Sequence, residues 1–96
     1  MGIYAAEKGG ARGPMEKSLQ TAGHQKLAEL IRTLRVESGQ TQVELAERLG
    51  ETQSAVSKVE SGQRRLDLVQ LATYAAALGI KVSKLVERWE REATKR

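Results

Sequence analysis

The sequence has no cysteine and no phenylalanine, and its 96 residues include one tryptophan, two tyrosines, one proline and one histidine. Without cysteine, disulfide stapling, a zinc finger and thiol catalysis are excluded. The compartment is left open by this, with a reducing cytoplasm fitting best. Apolar runs are short, Ala75 to Leu78 being typical, so no segment can span a bilayer. Met1 to Lys8 hold no basic stretch ahead of a long apolar one, and a secretory signal is not expected. The β-branched and aromatic runs that mark strands are missing too. What remains fits a single domain, burying roughly two thirds of its unfolded surface around one modest core.

Net charge is +4, but the distribution carries more information than the total. Residues 1 to 23 hold three basic and two acidic side chains, residues 24 to 80 seven of each, and residues 81 to 96 six basic and three acidic. The middle of the chain is neutral, so any affinity for an anionic polymer must come from where particular cations sit.

The opening segment, with Gly9-Gly10 and Gly13-Pro14 and few large apolar residues, reads as a flexible arm over residues 1–23. From His24 the pattern turns helical. Leu27, Leu30, Ile31 and Leu34 form one face of a helix ending near Ser38, with Gly39 suited to the left-handed position beyond it. Thr41 and Glu44 make a capping box, and Leu45, Ala46 and Leu49 give the next helix its buried side before Gly50. Thr52 caps a third helix with Val56 and Val59 inside, closed by Gly62. Asp67 and Gln70 form a second capping-box pair ahead of Leu68, Leu71, Ala72, Ala75 and Leu78, stopped by Gly79. The fifth helix carries Val82, Val86, Trp89 and Ala93 on one stripe, with Leu85 beside it. The expectation is all-α: five helices and no sheet, with a core domain over 24–87 and a helical extension or tail over 88–96.

Thr41 to Gly62, TQVELAERLGETQSAVSKVESG, carries the functional signal. Two short capped helices separated only by Gly50-Glu51-Thr52 must meet steeply, and the second is presented outward. With Val56 and Val59 inside, Gln53, Ser54, Ser57 and Lys58 point largely outward. These groups suit base edges in a major groove: glutamine pairs bidentately with adenine, lysine donates to guanine, and serine tolerates several bases. The helix N-terminus at Thr52 adds N–H groups and partial positive charge toward phosphate.

This stretch resembles the phage Cro/repressor-type, or XRE-like, helix-turn-helix family. The resemblance rests on Thr41-Gln42, Glu44-Leu45-Ala46, Leu49-Gly50, Gln53 with Val56 and Val59, Glu60-x-Gly62 and Ala77-Leu78-Gly79, and covers about residues 24 to 87. It implies a lambda-repressor-like domain in which Gln42 binds a phosphate and Gln53, Ser54 and Lys58 contact bases, with Ser57 nearby. It further implies an ion pair between Arg35 and Glu60 that positions the recognition helix, and a clamp on the sugar-phosphate backbone by Gln63-Arg64-Arg65. Two departures stand out. Lys81 occupies a position where the family places a capping serine or aspartate, so the fifth helix is expected to start late or fray. Leu66 replaces the usual proline, which bears on the rigidity of the loop.

The resemblance implies a sequence-specific repressor binding double-stranded DNA as a homodimer across a palindromic operator, with no built-in ligand sensor. Two rival roles stay open: an antitoxin that represses its own operon while its arm or tail binds a toxin, and a protein-interaction adaptor. Trp89 has two readings, folding back on its own domain or joining Val86 and Ala93 in a two-fold interface. His24 has no Cys/His partner set and reads as a surface residue at a helix start, not as a metal ligand. Neither an acid–base pair nor a Ser/His/Asp grouping nor a phosphate-cradling glycine loop is present, so no enzyme, cofactor or metal is expected.

Overall fold

A computed structural model describes residues 21–94. Most of the expected arm, residues 1–20, and the end of the tail, 95–96, lie outside the described residues. Five helices follow in order: α1 (Ala22–Glu37), α2 (Gln42–Leu49), α3 (Gln53–Glu60), α4 (Leu68–Ala77) and α5 (Val82–Ala93). No strand occurs among the described residues.

Local chemistry sets most of these boundaries. Thr41 accepts from the Glu44 amide while the Glu44 carboxylate accepts from the Thr41 amide, so both halves of the α2 capping box form. Asp67 and Gln70 do the same for α4. Thr52 Oγ1 accepts from the Ala55 amide at 3.1 Å and opens α3. Gly50 closes α2 at φ 69°, a left-handed conformation that residues with a Cβ adopt only at a cost. That reversal, and not a continuous rod, separates α2 from α3.

Three expectations about boundaries and burial are corrected. α1 begins at Ala22, two residues before His24, because Thr21 Oγ1 accepts from the His24 amide. α5 begins at Val82 without delay. Lys81 supplies no side-chain cap, but its carbonyl accepts from both Lys84 and Leu85, and Leu85 is fully buried, so packing outweighs the missing cap. Leu68, placed by periodicity on the inner face of α4, is 70% exposed, and Val69 beside it 76%. Spacing gives a side chain its direction, but only a neighbouring element can bury it.

The core joins Leu30, Ile31 and Leu34 of α1 to Leu45, Val56, Val59, Ala75 and Leu85 and to Leu78 just past α4, with Leu27, Leu49, Leu71, Val82 and Trp89 packed around it. Tyr74, absent from the expected face of α4, is buried as well. On α5 the fully buried side chain is Leu85, not the expected stripe, whose members Val82, Val86, Trp89 and Ala93 are partly exposed. α1 packs against both α3 and α5, and α4 bridges α2 and α5. That arrangement holds the α2–α3 pair on one side of the domain with its outer face uncovered.

Candidate nucleic-acid interface

Gln53, Ser54 and Lys58 are exposed on α3, whereas Val56 and Val59 are buried. Ser57 differs from the other three in being half-buried. At the start of the helix the amides of Gln53 and Ser54 have no acceptor within it, as in any first helical turn, and Thr52 is exposed beside them. Its hydroxyl accepts from Ala55 and keeps its own hydrogen for an outside acceptor. The anion-attracting end of α3 and its polar flank therefore face solvent together.

Behind that flank runs a hydrogen-bond chain from core to surface. Arg35 Nε donates to Glu60 Oε2 at 2.6 Å and Nη2 to Oε1 at 3.1 Å, a two-pronged pair whose side chains are 11% and 3% exposed. Arg35 Nη1 donates to the Gln40 carbonyl at 2.8 Å, which ties the pair to the α1–α2 link. Gln42 Nε2 donates to Glu60 Oε1 at 3.0 Å, and Gln53 Nε2 donates to Gln42 Oε1 at 2.6 Å. The direction of the chain follows from its inner end. A guanidinium only donates and a carboxylate only accepts, so Gln42 must turn its NH2 toward Glu60 and its oxygen toward Gln53. Gln53 in turn must offer an N–H inward, leaving its carbonyl oxygen and its second N–H outward. Arg35 has its pKa raised, chiefly by the hydrogen bond from its side chain to Glu60, with burial opposing and the charge of Glu60 assisting. The guanidinium thus keeps its charge at any ordinary pH.

The Arg35–Glu60 pair expected from the resemblance is present. Sequence reasoning missed that Gln42 links this pair to Gln53, because only the steep α2–α3 angle brings residues 42, 53 and 60 together. Gln42 is half-buried and bonded through both atoms of its carboxamide, with one N–H left over. Gln63, Arg64 and Arg65 are exposed on the loop leaving α3. That loop starts from Gly62 at φ 84°, whose amide bonds Val59 while the Gln63 amide bonds Lys58, both reaching back to carbonyls of the last turn.

Other placements depart from the sequence reading. His24 is buried, not on the surface, with Nε2 3.0 Å from the Gly62 carbonyl oxygen. Trp89 is half-buried against its own domain and donates from Nε1 to the Gly23 carbonyl at 2.9 Å, which is the fold-back reading. Val86 and Ala93, half-exposed on the same helix, are not thereby assigned a partner. Outside the expected set lies a shallow groove between the α2–α3 turn and α4, lined by Leu49, Glu51, Arg64, Leu66 and Val69, with Leu68 exposed next to it. Hydropathy could not have found it, since Leu68 reads as ordinary core and only the packing leaves it exposed. Among the described residues there is no cluster of potential metal ligands, and no helix is long and apolar enough to cross a membrane.

The helix-turn-helix family matches residues 31–85 of the chain. Solved structures share the fold. The restriction-modification controller protein C.AhdI from Aeromonas hydrophila is 37% identical, with 68% of this chain and 98% of that one covered and a TM-score of 0.63. An XRE-family-like protein from Pseudomonas syringae pv. tomato is 35% identical, covering 83% and 98%, with a TM-score of 0.71. The restriction-modification controller C.Esp1396I, solved as a tetramer in complex with its natural 35 base-pair operator, is 25% identical, covering 76% and 96%, with a TM-score of 0.70. No match is found among curated protein sequences.

Proposed function

The chain belongs to the helix-turn-helix family of DNA-binding transcriptional regulators, and on that premise we propose that it is a homodimeric repressor that reads an operator with α3. The observation that carries this reading is the chain of bonds from Arg35 through Glu60 and Gln42 to Gln53. It fixes which atoms Gln53 offers outward, one acceptor and one donor, the pair that adenine N6 and N7 require in the major groove. Ser54 and Lys58 take adjacent bases, Lys58 donating to guanine. Thr52, the first amides of α3 and the free N–H of Gln42 meet phosphates, and Gln63, Arg64 and Arg65 clamp the backbone further along.

Repression follows from occupancy: a domain seated in the groove over a promoter excludes other proteins from it. One neutral domain makes few phosphate contacts, and two copies on adjacent half-sites raise affinity by linking two weak events. Half-sites about 34 Å apart place both recognition helices on one face of the duplex. For the two-fold face we favour the groove beside Leu68 and Val69 over the Val86, Trp89 and Ala93 stripe. Its centre is apolar and exposed, and its rim carries one acid, Glu51, and one base, Arg64. Exposed apolar side chains that a second copy of the same face can cover are what an isologous contact needs, and Arg64 at the rim stays available to the DNA backbone.

Selection of bound sequences from a random duplex pool tests this directly. An enriched inverted repeat with adenine opposite the Gln53 position is expected. Replacing Gln53 and Lys58 together by alanine should abolish that preference while leaving helicity and melting temperature nearly unchanged. Preference that survives the double change at moderate salt refutes the assigned reading surface.

A further inference from the structure

The first turn of α1 lies directly against the end of the recognition helix, and one of its side chains has a polar atom aimed there. His24 is 9% exposed, and its Nε2 stands 3.0 Å from the Gly62 carbonyl oxygen. A carbonyl only accepts, so Nε2 carries the proton of this bond. Gly62 is buried. Its amide and that of Gln63 are bound back to α3, so His24 holds the remaining polar group at the point where the chain leaves the helix. Gln25 of the same turn lies close over Gly62: a Cβ there would stand 2.8 Å from the Gln25 Nε2. The turn is itself braced. Thr21 caps it, and Trp89 of α5 donates to the Gly23 carbonyl one residue before His24.

Resting on the reading of Gln63–Arg65 as a backbone clamp, we infer that His24 is a positioning residue for DNA binding, which sets the height and direction of that clamp through the Gly62 carbonyl. The loop runs exposed from Gln63 to Arg65, and the next capped element starts only at Asp67. Fixing the exit direction of such a loop before DNA arrives avoids an ordering cost at binding. Removing the imidazole leaves the buried Gly62 carbonyl without its donor, and the chain leaving α3 loses the bond that fixes its direction.

A double-mutant cycle on the full chain separates this role from simple stabilisation. His24→Leu removes the bond, His24→Gln places an amide N–H near the same point, and Arg64→Ala/Arg65→Ala removes the clamp. All are measured well below their melting temperatures for binding to duplex DNA across a salt series. His24→Leu is expected to weaken binding about tenfold on specific and non-specific duplexes alike, with His24→Gln recovering most of the loss. In the arginine-free background His24→Leu should change nothing further. Two results overturn the inference: a His24→Leu protein that melts earlier but binds with parental affinity, and a loss that adds in full to the loss from the arginine changes. If the arginine changes alone leave affinity and salt dependence untouched, the clamp reading itself fails. That outcome is distinguishable from the other two.

Discussion

Replacing Arg35 by methionine leaves the Glu60 carboxylate, 3% exposed, without its cation. Breaking a buried pair from one side costs about 3–5 kcal/mol, because the abandoned charge stays desolvated. Gln42 still donates to Glu60 in this variant, so the lower end, about 3 kcal/mol, is expected. For a domain of this size each kcal/mol lowers Tm by about 4–8 °C, which puts the drop at roughly 12–24 °C. Adding Glu60→Leu removes the orphan charge, and two apolar side chains in place of a buried ion pair are often neutral or stabilising. The double variant should therefore melt near the parent. Its DNA reading should not return, because Gln42 has lost the acceptor that orients it, and Gln53 is no longer forced to face outward with a defined donor and acceptor. Discrimination at the base pair read by Gln53 should fall by about 1–3 kcal/mol, the usual worth of one bidentate contact. Calorimetry gives the stabilities, and competition with single-base operator variants gives the discrimination. A single variant that loses less than about 4 °C, or a double variant that discriminates like the parent, would refute the argument that this pair acts on recognition through orientation.

The two-fold face predicts that Leu68→Lys together with Val69→Glu will shift the protein toward monomer in sedimentation and weaken operator binding, while barely moving the Tm of the monomer, since both side chains are already exposed. The same pair placed on Val86 and Ala93 should leave the oligomeric state alone. Tyr74 has its pKa raised, first by burial and then by the charges of Glu51 and Glu60, with Arg64 opposing. A raised pKa means that its contribution is intact below the ordinary tyrosine value and is lost as pH rises through the folded one. Melting temperature should accordingly fall on going above about pH 10, and Tyr74→Phe should remove part of that fall. Gly50→Ala, at φ 69° in open space, should cost about 1 kcal/mol by chemical denaturation, the penalty of the left-handed conformation alone. Gly62→Ala, at φ 84°, should cost at least as much and should also displace Gln25, visible in side-chain NMR signals.

Local sequence determined the elements of this protein. Caps at Thr41, Thr52 and Asp67 and glycines at 39, 50, 62 and 79 act within a few residues of themselves, and each appears in the structure where its chemistry places it. The outward flank of α3 was legible for the same reason: once Val56 and Val59 go inside, Gln53, Ser54 and Lys58 must go out. Only tertiary structure decided what meets across helices. Leu68 carries the right spacing for a core residue, but no neighbour covers it, while His24, read from its own segment as a surface residue, is buried because α1 runs past the end of α3. Capping and periodicity are satisfied by atoms a turn away, whereas burial and the Gln42–Gln53 bond depend on the angle at which distant segments pack.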